Sequence, residues 1–273
     1  MRKELCIIHA NCQGDPLARL LLSCDAFARR FEVRKYTNFQ REQIPDRELE
    51  SCRLFLFQHL GEKWAEQASA HLLHRLGPAA EVLRLPNMLF KGYWPLWTSR
   101  SPSEFGDVYL DHLIDMGLEK KEILYVYLHT DLTAKYDLDA MLRESLAVER
   151  AKEEETVVRT VDLVESLWRG ELLFNTINHP GRRLLLHVAG GVLRALGFSQ
   201  LSADVCAGFA DPYPEFILPV HPQVAAFHGL AFGGEDWQYP VFGRQKTFAR
   251  YAEHYVDCRL LGLESLSAYL HLV

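Results

Sequence analysis

The chain has 273 residues, 48% of them hydrophobic and 24% charged, enough for a sizeable core in one large domain or two small ones. Its net charge of −6 argues against bulk attraction to nucleic acid or an anionic membrane surface, while leaving room for an anion held by a few local basic residues. No apolar run reaches the length of a membrane span, no secretory cleavage pattern follows Met1, and the six cysteines form no C-x-x-C pair, so a cytoplasmic protein without a zinc site or disulfide framework is expected.

In chain order, "ELCIIHA" reads as a buried strand and "DPLARLLLSCDAFARRF" as a helix, with Asp15 placed to cap it and Pro16 at its first position. "EVRKYTNF" and "CRLFLFQH" read as the second and third strands, "EKWAEQASAHLLHRL" as a helix and "AEVLRLPNM" as the fourth strand. Strands alternating with helical segments predict a parallel sheet with covering helices, a doubly wound α/β arrangement. "PNMLFKGYWPLW" is rich in aromatics, suited to core packing or to the wall of a sugar or pantetheine pocket.

Beyond Asp107 helical patterns dominate: "DVYLDHLIDMG", the long "DLDAMLRESLAVERAKEEETVVRTVDLVESLWRG", "HPGRRLLLHVAGGVLRALG" opened by Pro180 and closed by Gly197, and the tail from Phe248. The charged run from Arg150 to Glu155 reads as a solvated face or a short interruption between helices. With no repeat or low-complexity linker, the expected organisation is a single domain over 1–273, its α/β portion in 1–100 and a mainly helical portion in 101–273 packed on it.

Ligands of open parallel sheets bind outside the carboxyl ends of the strands. Three polar clusters fall there: Asn11-Cys12-Gln13, Gln58-His59 and Pro86-Asn87. Cys6, Cys52 and Cys206 lie in apolar segments and are expected to be buried thiols, whereas Cys12 has polar neighbours just before a helix N-terminus, where unpaired N–H groups favour thiolate. Those amides, with Asn11 or Gln13, are candidates for an oxyanion hole, and Gly14 permits a tight turn and close approach of a ligand. The alternative is a small buried cysteine whose neighbours merely satisfy the loop backbone. A thiol nucleophile needs a base. His59, at a strand end, and His179, in Asn178-His179-Pro180, rank above His129 and His221. Arg182 and Arg183, in the first turn of a helix, and Arg244 with Lys246 are candidate anion-binding pairs, against the alternative of solvated surface charges. No G-x-x-x-x-G-K-[ST] or G-x-G-x-x-G occurs, so nucleotide-dependent phosphoryl transfer and dinucleotide redox chemistry lack their usual support.

Together, "ANCQGDPLARLLL", "LPNMLFKGYWP", "FNTINHPGRRLLL" and "LPVHPQVAAFHGL" resemble the WcbI-type capsular polysaccharide biosynthesis proteins. One departure is Ala10, where the family is expected to carry Gly before Asn-Cys-Gln. The resemblance implies binding of coenzyme A and acetyl transfer. The expected fold is then α/β, an N-terminal doubly wound or SGNH-like sheet with a large helical elaboration. The expected reaction moves an acetyl group from a coenzyme A thioester to a sugar or glycan hydroxyl, with Cys12 as nucleophile or as a thiol lining the acyl site. Asn11, Gln13 and Gly14 would orient the group or stabilise the oxyanion, and His59 or His179 would move protons. Arg182, Arg183, Arg244 and Lys246 would take the coenzyme A phosphates. Two rivals stand beside it: an esterase or thiol hydrolase with water as acceptor, and a coenzyme A or glycan-binding protein without turnover.

Overall fold

The computed structural model describes residues 2–273. Its contacts group the chain into two compact units rather than dividing it once near residue 100: the first takes residues 1–89, 149–165 and 179–212, the second residues 90–148, 166–178 and 213–273.

The first unit is built on four parallel strands, β1 (Glu4–Ala10), β2 (Phe31–Thr37), β3 (Cys52–Gln58) and β4 (Glu81–Leu85), in the order β2-β1-β3-β4. This is the predicted α/β arrangement. β1 and β3 are central and buried on both faces, which is why they read as continuous apolar runs instead of alternating ones. On one face, Ile7, Phe55, Phe57 and Tyr36 pack with Leu49 of helix α3 (Asp46–Ser51) and Leu72 of helix α4 (Ser69–His74). The opposite face, with Ala10, Gln58 and Leu85, meets Leu17 of helix α1 (Gly14–Leu22) and Leu185 and Val188 of the helix Arg182–Ala195.

Several predicted helices are shorter than their patterns. The first is cut between Leu22 and Asp25, where helix α2 (Asp25–Arg30) begins and hands directly to β2 at Phe31. The helix expected from Glu62 is a 3-10 segment, Glu62–Gln67, with Ala65 at φ 52°, followed by α4. Helix α1 begins two residues earlier than expected: Gln13 holds the cap position, and Asp15 lies in the first turn, ion-paired with Lys35. Pro180 likewise precedes its helix, which starts after Gly181. The run from Arg150 to Glu155 closes the helix Leu138–Glu153 and opens the break that follows it. Buried Glu153 accepts hydrogen bonds from the amides of Thr160 (2.6 Å) and Val161 (3.1 Å), capping the helix Val161–Leu167, while Arg150 pairs with Asp162 and Glu165.

The second unit is mainly helical, its helices Val108–Asp115, Lys120–His129 and Phe248–Leu260 packing on one another. Its interior is aromatic: Phe90 stacks on Phe174 and meets Tyr93 and Trp168 edge-on. Tyr93 and Trp94 are therefore core residues, and Trp97 is half-buried. Two antiparallel pairs, Trp97–Thr98 with Gly106–Asp107 and Tyr239–Val241 with Arg244–Lys246, escaped the sequence reading because two- and three-residue strands carry no measurable period. Among the described residues, no helix is long and apolar enough to cross a membrane.

Candidate functional site

The strand order sets the position of the site. From β1 the chain winds outward to β2 on one side, then crosses back to place β3 on the other, so the direction of winding reverses between β1 and β3. At such a switch point the connections leaving the two strands diverge and open a crevice at their carboxyl ends. Asn11, Cys12 and Gln13 follow β1, and Gln58 ends β3.

An amide network closes this edge. Gln58, 1% exposed, accepts the Asn11 backbone N–H on Oε1 (2.8 Å) and donates from Nε2 to Gln13 Oε1 (3.0 Å) and the Pro86 carbonyl (3.1 Å). Gln13 donates from Nε2 to the Met88 carbonyl (2.8 Å) and accepts the Met88 N–H on Oε1 (3.2 Å). Asn11 accepts the Gln13 N–H on Oδ1 (2.9 Å) and donates from Nδ2 to Asn87 Oδ1 (3.1 Å). Three strand ends are thus tied through three side-chain amides, each using both its donor and its acceptor. A buried amide costs stability unless it is satisfied, so the turn carrying Cys12 has few alternatives to this geometry.

The six cysteines separate by environment. Cys6 and Cys52 are buried, and burial pushes both thiols up, so neither is suited to act as a thiolate. Cys206, expected buried, is half-buried on the short helix Ala203–Gly208. Cys12 is half-buried at the turn. Gly14 opens α1 for a packing reason. A Cβ there would lie 3.0 Å from Ala10 Cβ and 3.5 Å from Ile8 Cγ2, so its hydrogen lets the helix sit down on β1, while its N–H donates to the Asn11 carbonyl (2.9 Å).

His59 is exposed one residue beyond Gln58. His179 is half-buried three residues before Arg182. Leu185 and Val188 line the same small gap as Gln13, Gln58 and Met88, which brings the N-terminal end of their helix to the edge that holds Cys12. Arg182 and Arg183 are exposed there, and the Arg182 guanidinium also donates to the Cys206 carbonyl (2.6 Å). Cys12, His59, His179, Arg182 and Arg183 all belong to the first unit, whereas Arg244, Lys246, His129 and His221 belong to the second. Arg244 is exposed. Lys246 is buried, its Nζ donating to a Val273 oxygen (2.9 Å) and lying 3.1 Å from His254 Nε2.

Two features were missed: the place of Gln58 at the hub of the amide network, and a buried histidine inside β1. Gln58 was part of a recognised polar cluster, and its signal was a polar residue closing a wholly apolar strand. His9, fully buried in β1 with neither ring nitrogen hydrogen-bonded, was hidden inside an apolar run; burial pushes its pKa down to about 4, so it is neutral.

A family model described as polysaccharide biosynthesis enzyme WcbI matches residues 5–201. No curated protein matches the chain. A solved structure of WcbI, described as a novel polysaccharide biosynthesis enzyme in native form without a disulfide bond between coenzyme A and one of its cysteines, aligns with a TM-score of 0.79 at 19% identity, covering 99% of this chain and 93% of that one. With a family match over most of its length and a fold shared from end to end, the chain belongs to the WcbI family of polysaccharide biosynthesis enzymes.

Proposed function

We propose that the protein transfers an acyl group, acetyl in the first instance, from a coenzyme A thioester to a hydroxyl of a sugar or glycan precursor. The observation that carries this reading is the thiol of Cys12, half-buried on an amide-locked turn at the switch point of a parallel sheet. The family's role in polysaccharide biosynthesis supports a carbohydrate acceptor, and the pairing of coenzyme A with a cysteine in the description of the solved WcbI supports the donor.

The reaction runs in two balanced steps. Cys12 Sγ, as thiolate, attacks the thioester carbonyl; the tetrahedral intermediate collapses with cleavage of the bond to the coenzyme A sulfur, which leaves as a thiol after taking a proton from the protonated relay histidine, and the acetyl group rests on Cys12. The acceptor hydroxyl then attacks this new thioester, its proton passes to a histidine, and the Cys12 thiolate is released. Asn11 and Gln13 hold the turn together with Gly14; their backbone N–H groups are committed within it, so their part is to orient Cys12. His59 and His179 are the candidates for the proton relay, and Arg182 and Arg183 for the phosphates of coenzyme A. Arg244 is a second anion contact; Lys246, turned to Val273 and His254, ranks last. The reaction belongs in the cytoplasm, where thiols stay reduced.

Intact-mass analysis after mixing with acetyl-coenzyme A tests the route. An acetyl adduct that disappears in Cys12→Ser, with turnover lost, is the expected result. Full turnover by Cys12→Ala would overturn the covalent step in favour of direct transfer. Acetyl release that needs no acceptor sugar would make the enzyme an esterase instead. Replacing the relay histidine by Asn is expected to lower kcat by about 10²–10⁴-fold, and comparing His59→Asn with His179→Asn identifies it.

A further inference from the structure

The second unit contains a partly open cavity of ≈ 40 Å³ with aromatic walls, among them Trp94, Phe105, Tyr127 and Phe248. A single water needs roughly 10–15 Å³ on this measure, so the space suits a thin organic molecule of a few heavy atoms.

Two buried polar atoms at this cavity have no hydrogen-bond partner: the hydroxyl of Tyr251 and Nε2 of His221. Their chemistry is defined by their neighbours. His221 caps the helix Pro222–His228, its Nδ1 accepting the Gln223 N–H at 3.2 Å, so Nδ1 carries no proton. Burial pushes the ring's pKa down to about 4, which leaves the neutral tautomer with its proton on Nε2. The Tyr127 carbonyl lies beside the ring, outside hydrogen-bonding geometry. Both orphaned groups are therefore donors. The carboxylate on the wall, Asp107, is committed: Oδ1 accepts the N–H groups of Tyr109 and Leu110, both at 2.9 Å, and Oδ2 accepts the Tyr127 hydroxyl at 2.8 Å. A buried carboxyl there makes the cavity hostile to an anion.

We propose that this cavity is a binding site for a short, uncharged carbonyl compound, whose oxygen accepts from the Tyr251 hydroxyl and the His221 Nε2–H while its carbons lie against the aromatic wall. The site is separate from the acyl-transfer reading and stands or falls without it. Its selectivity is for shape and neutrality together: a ketone or amide of three to five heavy atoms fits both donors, and the isosteric carboxylate meets Asp107.

Acetone and acetate, nearly equal in shape and opposite in charge, are the probes. Nitrogen-15 NMR of the His221 ring in the full chain at pH 7.5 is expected to show saturable displacement by acetone, with a Kd between about 0.1 and 10 mM for so small a ligand, and acetate at least tenfold weaker. Ala252→Leu, which fills the cavity, abolishes the displacement, and Tyr251→Phe, which removes one donor and no contact, weakens it fivefold or more with an unchanged or raised Tm. Should Ala252→Leu fail to fold, Tyr251→Phe carries the comparison. No saturable displacement, equal response to acetate, or indifference to Tyr251→Phe would overturn the site and leave a cavity for water alone.

Discussion

The amide edge of the first unit and the aromatic pocket of the second bury polar groups in opposite ways. At the sheet edge of the first, Asn11, Gln13 and Gln58 use their amides on one another and on the backbone. In the aromatic interior of the second, Tyr251 and His221 bury donors that nothing accepts. A satisfied network spends its hydrogen bonds on holding one geometry, which is what a nucleophile needs from its support. An unsatisfied donor has its hydrogen bond still to give, which is what a small ligand can gain. The contrast separates a region built to position from one built to receive.

Acid tests the contrast most strongly, because burial pushes the pKa of His9 in the first unit, and of His221 and His254 in the second, down to about 4. The unfolded chain takes up a proton at each as pH falls through about 6.5, while the folded protein resists until about 4, so the unfolded state binds more protons in that window and stability falls as pH falls. The loss per histidine is up to about 3 kcal/mol, complete near pH 4. Denaturant melts from pH 7.5 to 4 measure it. His9→Leu is expected to remove its share of the slope without loss of stability at pH 7.5, since its ring makes no hydrogen bond. His221→Leu removes a similar share but costs about 1 kcal/mol at every pH through the lost helix cap. An unchanged slope in His9→Leu would break the comparison.

Next in size is Gln58→Leu, which strands the Asn11 N–H and the Pro86 carbonyl. We expect a cost of about 2–4 kcal/mol in chemical denaturation. The rate at which a thiol reagent labels Cys12 should also change severalfold, as its turn loosens. Tyr251→Phe, by contrast, should cost less than about 0.5 kcal/mol, its hydroxyl having no partner to strand. Similar costs for the two would show that the amide network supports nothing beyond ordinary packing.

The smallest effect lies under the turn. Gly14→Ala places a Cβ 3.0 Å from Ala10 Cβ, while alanine favours helix over glycine by about 1 kcal/mol. The substitution should destabilise the present chain slightly and stabilise Ala10→Gly, a sign reversal visible in a double-mutant cycle of Tm values. Additive effects would mean that α1 and β1 do not meet as closely as described. The same pair gives Ala10 a physical meaning: of the two positions where helix crosses strand, one must stay bare.

Much of the fold was legible because its signals are local. Four apolar runs with turn residues between them became β1 to β4, and polar residues at three strand ends marked the edge where Cys12 lies. Helix lengths were less legible: nothing in "LLLSCDAFARRF" announces that the chain stops at Ser23, restarts at Asp25 and becomes a strand at Phe31, because the neighbouring strand decides where β2 begins. Partnerships between distant segments were not legible at all. The pairing of Gln13 with Gln58 depends on which strands lie side by side, and the burial of Lys246 depends on where Val273 returns. Charge by itself marked Lys246 as an anion ligand, and only its surroundings show its nitrogen turned inward.

The helix Arg182–Ala195 closes one face of a sheet whose last strand ends at Leu85. At a synthesis rate of roughly 5–20 residues per second, the ribosome finishes that strand about 5–20 s before it has made the helix. Through this interval Ile8, Leu54 and Leu56 have only α1 for shelter, so the newborn sheet presents a greasy flank to the cell. Chaperone binding to the nascent chain is the expected consequence of this order of segments, and moving the helix next to the sheet in a permuted gene should lessen it.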